Sequence, residues 1–233
     1  MCTLTWRAVR EGGYDLFFNR DEHNTRASES PPAERRSANG VRHLAPVDGD
    51  HGGTWLMLNA HGLTVCVLND YPRGIVETGR LSRGRLPLAV AGEVRATEAV
   101  AVMRTMPLAE FAPFHLVAID ARAGGVHARW DGRRLHEAPA PEFLTSSSFD
   151  PAGVRARRSA AYAACAVEER GATFHWAHDP SDGAGSVLMR RPDAATRSVC
   201  SVRVRPVEAL RELAYQAVAW PEAVAANTVM LRV

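Results

Sequence analysis

Lysine is absent from this 233-residue chain, so all 28 of its basic residues are arginine. They face 26 acidic residues, which leaves a net charge of +2. This balance is too even to predict nucleic acid or an anionic membrane surface as a partner. No apolar run approaches the ~20 residues that a transmembrane helix requires, so stable membrane insertion is not expected. The opening residues MCTLTWRAVREGG also lack the basic and apolar regions of a secretory signal.

Cysteine is scarce as well: the chain has four, at Cys2, Cys66, Cys165 and Cys200. None forms a CxxC pair, which argues against a zinc site built from four thiolates, and nothing in the spacing indicates disulfides. Reduced thiols are typical of a cytoplasmic protein. We therefore expect a cytoplasmic enzyme that needs no metal and no cofactor.

The composition, 46% hydrophobic and 23% charged, is that of a globular protein, and the length suits one domain over residues 1–233. Periodicity predicts strands at 2–9, 14–18, 54–58, 63–68, 114–120, 125–130, 133–137, 143–150, 198–204 and 228–233. Helices are predicted at 82–91, 95–106, 154–170 and 207–219, with a long polar loop over 23–40. Helices segregated from runs of antiparallel strands indicate an α+β architecture with helix layers on stacked sheets.

The position of Cys2, directly behind the initiator methionine, is the first chemical signal. Aminopeptidases remove Met1 when the next side chain is small, as that of cysteine is. Removal would give Cys2 both a thiol nucleophile and a free α-amine that can serve as its base. The alternative is a small apolar residue packed at the start of a strand.

A polar cluster, Asn19-Arg20-Asp21-Glu22, follows the apolar end of the second predicted strand. Pairing of the two strands in a hairpin would place this cluster beside Cys2. An arginine near a thiol favours the thiolate, and a carboxylate near an α-amine favours the ammonium. Both side chains can reach Cys2 only if the strand ends or bends near Asn19, which the polar run suggests. If the strand continues, only one of them can face Cys2; we then keep Asp21 there and assign Arg20 to an ion pair with Glu22 or a neighbouring loop. A solvated turn is the alternative.

Three further residues, taken singly, have ordinary explanations. Asn69 follows a β-branched strand and suits a turn, although an amide there can also donate to an oxyanion. Ser146 lies in a serine run typical of strand-end hydrogen bonding. Arg197 leads into a strand and reads equally as a surface arginine.

Together these residues form a familiar pattern. The N-terminal MC, NRDE at 19–22, GGTWL at 52–56, the LND strand end at 68–70 and SRG at 82–84 resemble the NRDE family, also called the transport-and-Golgi-organisation protein 2 family. The resemblance spans most of the chain in the same order. It implies the four-layer αββα sandwich of N-terminal nucleophile (Ntn) hydrolases. Within that superfamily the family is similar to choloylglycine hydrolases and penicillin V acylases.

The resemblance implies a role for each matching residue near the N-terminus. Cys2 matches the nucleophile that begins the processed chain. Arg20 matches the arginine on the side of the thiol, and Asp21 matches the aspartate that holds the amine. On this basis we expect Asp21→Asn to abolish hydrolysis and to leave the fold intact.

The later matches are less complete. Asn69 matches the first oxyanion asparagine, and Arg197 matches an arginine late in the chain. The LTN segment of the superfamily corresponds to LTS here, so Ser146 stands where a second oxyanion asparagine is expected. Serine offers one hydroxyl in place of an amide NH2, so the resemblance does not determine which group is the second oxyanion donor.

The function implied is hydrolysis of a non-peptide amide or an activated acyl bond, such as a thioester, in a small-molecule or lipid-like substrate. A second interpretation is a non-catalytic carrier for acyl-CoA, lipid or haem. A third, a metal hydrolase using His43, His51 and His61, is ranked low because their spacings fit no ligand motif. Neither the substrate nor the oligomeric state is determined by the sequence.

Overall fold

The computed structural model describes residues 1–72, 79–122 and 124–233, and its strands form two antiparallel sheets. The first sheet has the order β10-β1-β2-β11-β12-β13, with bounds Phe143–Ser146, Cys2–Ala8, Tyr14–His23, Ala194–Arg205, Leu210–Ala219 and Val224–Arg232. The second has the order β3 to β9, with bounds Ser30–Arg36, Arg42–Val47, Leu56–Asn59, Thr64–Asn69, Phe114–Asp120, Gly124–Trp130 and Leu135–Pro139.

The helices complete a layered αββα sandwich, as expected. Their bounds are α1 Arg85–Ala89, α2 Ala96–Arg104, α3 Pro151–Ala164 and α4 Ala172–His175. One apolar core lies between α1, α2 and the second sheet. Another lies between the two sheets, where Leu4 and Phe18 of the first sheet meet Leu56 and Leu58 of the second. The helices α3 and α4 cover the outer face of the first sheet.

The hairpin of β1 and β2 sets the geometry at the N-terminus. Its register places Cys2 opposite Arg20 and Leu4 opposite Phe18. The turn needs glycine at position 13, because φ is +86° there and an added Cβ would lie 2.0 Å from the Val204 carbonyl oxygen. The predicted hairpin is therefore confirmed, but β2 extends to His23, well beyond the predicted end.

Three segments differ in kind from the prediction, and one of them is β4, Arg42–Val47, where no strand is predicted. The long loop over 23–40 contains β3, an edge strand in which only Pro32 is buried. An edge strand tolerates proline and polar residues on both faces, so it lacks the alternation that marks other strands. The predicted helix at 207–219 is strand β12, where Leu213 and Tyr215 alternate into the core.

Helix ends also differ from the prediction. The helix α3 ends at Ala164, whereas the prediction continues to residue 170, and Cys165 follows the helix in an extended conformation instead of lying inside it. Asp150 begins this helix by accepting a hydrogen bond from the Gly153 amide at 3.0 Å. In the part of the chain that the structure describes, no helix is long and apolar enough to cross a membrane.

Candidate active site

A cavity of about 370 Å³ opens beside the N-terminus. It contains four of the six predicted site residues: Cys2, Arg20, Asp21 and Asn69. The rest of its lining includes Met1, Glu22, Arg26, Asp48, His51, Thr54, Trp55, Leu81, Arg83 and Ala112. Residues 67 positions apart in sequence thus meet at one concave surface, since β1, β2 and β6 bring them to the same end of the two sheets.

Cys2 is half-buried at the start of β1, with Arg20 opposite it on β2 and Ser146 opposite it on β10. Its side chain faces the space between the sheets. Burial raises the pKa of the Cys2 thiol to about 11, and the nearby Asp21 carboxylate adds to that effect. The Met1 ammonium and Arg20 act in the opposite direction. In the chain that retains Met1, the thiol is therefore neutral at physiological pH.

Arg20 shares the face of Cys2 and is held rigidly. Its guanidinium forms an ion pair with Glu29, donates to Asp48 at 2.6 Å, and stacks on the Trp55 ring at 4.4 Å. Glu29 in turn accepts a hydrogen bond from Tyr215 at 2.9 Å. The sequence reading missed these anchors, because Glu29, Asp48 and Trp55 lie in connecting segments with no pattern that links them to Arg20.

The Asp21 carboxylate lies on the other face of the first sheet. The prediction that the strand ends or bends near Asn19 is wrong: β2 continues to His23, so successive side chains point to opposite faces. The carboxylate accepts from Arg158 at 3.1 Å and from Thr196 at 2.7 Å. The Asp21 main chain instead contacts the N-terminus, since its carbonyl oxygen accepts from the Met1 ammonium at 3.0 Å.

Asn69 ends β6 and lines the cavity near Cys2. Its Nδ2 donates to the Tyr71 hydroxyl at 3.0 Å. Asn69 therefore ends a strand, as a turn former does, and also places a side-chain amide at the cavity that Cys2 lines.

Ser146 lies directly across the ladder from Cys2 and is only 7% exposed. Its Oγ has no hydrogen-bond partner among the described residues. A buried hydroxyl without a partner costs stability unless a ligand or water satisfies it. Ser146 thus has an unused donor beside the thiol.

Arg197, like Ser146, is not among the residues that line the cavity, and unlike Ser146 it does not lie opposite Cys2 on a neighbouring strand. It lies in an irregularity of β11, between Thr196, which pairs with Asp21, and Ser198, which pairs with Arg20. The extra residue of such a bulge has no partner across the ladder, so sequence position alone does not determine its direction. Within the described residues that line the cavity, Arg197 is absent.

The most informative residue that the sequence reading missed is Arg158 on α3. It is fully buried and forms an ion pair with Asp21. A buried arginine in a run of surface-like residues, VRARRSAAY, has no local signal that separates it from Arg155 or Arg157. Only packing of the helix on the sheet identifies it.

The three histidines of the metal interpretation lie apart. His51 lines the Cys2 cavity, His61 lines a different one, and His43 is buried in β4. Within residues 1–72, 79–122 and 124–233, no group of three or more His, Cys, Asp or Glu side chains is arranged to hold a metal ion.

Comparison with known proteins agrees with this geometry. The family model described as Transport and Golgi organisation 2 matches residues 1–148. The chain is similar in structure to penicillin V acylase from Agrobacterium tumefaciens, with 15% identity, a TM-score of 0.56, and coverage of 100% of this chain and 86% of that one. None of the curated protein sequences compared with the chain matches it.

Two further solved structures share the fold. A mutant of conjugated bile acid hydrolase from Clostridium perfringens has 13% identity and a TM-score of 0.60, covering 100% of this chain and 92% of that one. A Caenorhabditis elegans ortholog of N-acylethanolamine-hydrolyzing acid amidase has 11% identity and a TM-score of 0.54, covering 86% and 92%. At these identities the likeness establishes the fold alone.

Proposed function

This chain belongs to the Transport and Golgi organisation 2 family and has the fold of N-terminal nucleophile hydrolases, and from that premise we propose that it is an N-terminal cysteine hydrolase. It would cleave a non-peptide amide or an activated acyl bond, such as a thioester. The observation that carries the proposal is the meeting of Cys2, Arg20 and Asn69 at one cavity, where the Asp21 main chain binds the N-terminal ammonium.

The proposed reaction begins once Met1 has been removed. The α-amine of Cys2, with an ordinary pKa of about 8, takes the thiol proton directly or through a water. The thiolate attacks the substrate carbonyl carbon, forming a C–S bond and an oxyanion to which Asn69 donates. Collapse of the oxyanion expels the amine or thiol, which takes the proton from the ammonium. Water then hydrolyses the thioester to free acid and thiol.

Removal of Met1 would also change the thiol itself. In the Met1-bearing chain the ammonium lies one residue away from Cys2 and is bound by the Asp21 carbonyl oxygen at 3.0 Å. Transfer of that positive charge to Cys2 brings it next to the sulfur and lowers the thiol pKa.

We predict that most molecules purified from cells begin at Cys2. The physical reason is the small side chain at position 2, and the functional reason is the free amine that the reaction needs. Intact-mass spectrometry measures the loss of one methionine residue directly. Retention of Met1 in nearly every molecule would contradict catalysis by the α-amine.

The second oxyanion donor gives a further prediction, at Ser146. Since its buried hydroxyl has no partner in the part of the chain that the structure describes, we expect Ser146→Ala to lower kcat by about 10²-fold, the cost of one donor. Ser146→Asn supplies an amide NH2 and is expected to retain or raise kcat. Steady-state kinetics of both variants, compared with wild type, provide the measurement. Equal kcat in all three proteins would remove Ser146 from the reaction.

The lining of the cavity supports a polar reacting group in preference to an apolar cargo. Arg20, Arg26, Asp48 and Glu22 present ionised groups around the thiol. Transfer of such groups away from water against a lipid tail or a haem face is costly, which disfavours the carrier alternative for this cavity. An acyl chain would instead lie along Trp55, Leu81 and Ala112.

The proposal is tested with a panel of acyl compounds drawn from the chemistry of the structural neighbours. Penicillin V, a conjugated bile acid, an N-acylethanolamine and a p-nitrophenyl thioester would be incubated with protein whose N-terminus is verified by mass. Release of acid that requires Cys2 supports the proposal. Absence of turnover across the panel, with tight retention of an unchanged ligand, would favour a carrier.

A further inference from the structure

A buried hydrogen-bond network lies beneath Cys2, on the face of the first sheet that α3 covers. Its centre is Arg158, whose side chain is entirely inaccessible to solvent. Both terminal nitrogens donate to Oδ2 of Asp21 at 3.1 Å, and one also donates to the Ala184 carbonyl oxygen at 3.1 Å. Thr196 donates to the other oxygen of Asp21 at 2.7 Å. The carboxylate is thereby fixed from two sides.

The same guanidinium is also connected to the main chain of Cys2. Its Nη1 donates to the Thr3 hydroxyl at 2.6 Å, and Thr3 Oγ1 lies 2.9 Å from Thr145 Oγ1. Thr145 in turn donates to the Cys2 carbonyl oxygen at 3.1 Å. Since arginine only donates and each hydroxyl has one proton, the chain has one consistent direction, from Arg158 through both threonines to Cys2.

We propose that Arg158 is a positioning residue that holds the Asp21 carboxylate and the Cys2 main chain in one rigid arrangement. The proposal rests on the hydrolase function above, because it assigns Arg158 a role in presenting the nucleophile and the group that orients its amine. Arg158 does not line the Cys2 cavity, so it acts through Asp21, Thr3 and Thr145.

The charge of Arg158 has a second consequence for the thiol. The Asp21 carboxylate raises the pKa of Cys2. Arg158 opposes that influence by pairing with the carboxylate at 3.1 Å, and the absence of solvent at this depth leaves the interaction poorly screened. Loss of the guanidinium would leave Asp21 uncompensated, so the thiolate of Cys2 would become harder to form.

The test measures iodoacetamide alkylation of Cys2 across pH, using full-length protein and peptide mapping. Arg158→Gln is expected to raise the apparent thiol pKa by about one unit, which slows alkylation about tenfold below that pKa. Arg158→Lys keeps the charge and is expected to restore most of the alkylation rate. It should not restore hydrolysis, because an ammonium lacks the fork that reaches Asp21, Thr3 and Ala184 together.

If Arg158 had only a structural role, its replacement would speed up alkylation of Cys2 instead of slowing it. Loosening of the fold exposes thiols, so alkylation of Cys2 would speed up together with that of the fully buried Cys66 and Cys200. The proposal requires slower labelling confined to Cys2. Arg157→Gln is the matched control, since Arg157 is the neighbour on the same helix, is half-exposed and pairs with Asp182.

Arg158→Lys keeps the test decisive if Arg158→Gln folds poorly, because the proposal expects it to combine near-wild-type Cys2 labelling with lost hydrolysis, and wild-type hydrolysis by this variant would overturn the proposal. Where Arg158→Gln does fold, Asp21→Asn with Arg158→Gln buries no unpaired charge, and its Cys2 labelling rate is expected to return to within about threefold of wild type. Unchanged Cys2 labelling in Arg158→Gln would overturn the proposal. Alkylation needs no substrate, so failure of every compound to be hydrolysed would refute the proposed function and leave this result interpretable.

Discussion

Replacing Cys2 by alanine is expected to abolish hydrolysis, with kcat falling by about 10⁴-fold or more, the usual loss for a nucleophile. Alanine is small, so Met1 is still removed and the α-amine remains. The variant therefore loses only the sulfur. Cys2→Ser retains the amine and supplies a hydroxyl, and it is expected to keep at most a small fraction of the wild-type activity, because an alkoxide forms far less readily than a thiolate.

Thiol labelling provides the control for this prediction. Cys66 and Cys200 are fully buried and their thiol pKa values are raised by burial, so they should resist iodoacetamide. Cys165 lies beyond the end of α3 and is partly exposed, so it is expected to label slowly and should be replaced by serine in the test protein. Equal labelling of Cys2 and Cys165 in the processed wild-type protein would contradict a tuned nucleophile.

Replacing Asp21 by asparagine is expected to abolish hydrolysis and to destabilise the protein as well. The second part differs from the expectation drawn from sequence, which was an intact fold. Asp21 and Arg158 are both fully buried, so the substitution leaves a buried guanidinium without its counter-charge. Breaking such a pair from one side costs about 3–5 kcal/mol. For a chain of this length we expect Tm to fall by roughly 6–20 °C.

Thermal unfolding and activity below the melting range separate these two effects. The control is Asp15→Asn, which removes a carboxylate from the same strand where Asp15 pairs with Arg205 and is partly exposed. That substitution should change Tm by only a few degrees and leave hydrolysis intact. An Asp21→Asn protein with wild-type Tm and wild-type kcat would remove Asp21 both from the reaction and from the buried pair.

Local pattern was sufficient for most elements of the fold. The β1–β2 hairpin, the β5–β6 pair and the β7–β9 meander have strong alternation or clear turns, so their existence followed from sequence. The strand β12 did not, because its small apolar residues repeat ambiguously between helical and strand periods. This segment is a strand because it pairs with β11, and neither segment contains a local sequence pattern that predicts the pairing.

The candidate site likewise contains some residues that the sequence predicts and others that only the fold identifies. The sequence alone indicates the candidate residues Cys2, Arg20, Asp21 and Asn69, through their types and their order along the chain. It does not indicate the anchors Glu29 and Asp48, since each is one of many surface-like acidic residues until the fold buries it against Arg20. Whether a side chain is buried or paired depends on a second segment of the chain, so the sequence around that side chain alone does not predict it.

By itself the sequence determined the candidate site residues near the N-terminus, because cysteine at position 2 and NRDE at 19–22 are unusual in type and order. Tertiary structure alone decided which way those residues face. Continuation of β2 to His23 puts Arg20 on the side of the thiol and Asp21 on the side of Arg158, since side chains alternate along a strand. A motif specifies residue types, and the sheet determines the face on which each side chain lies.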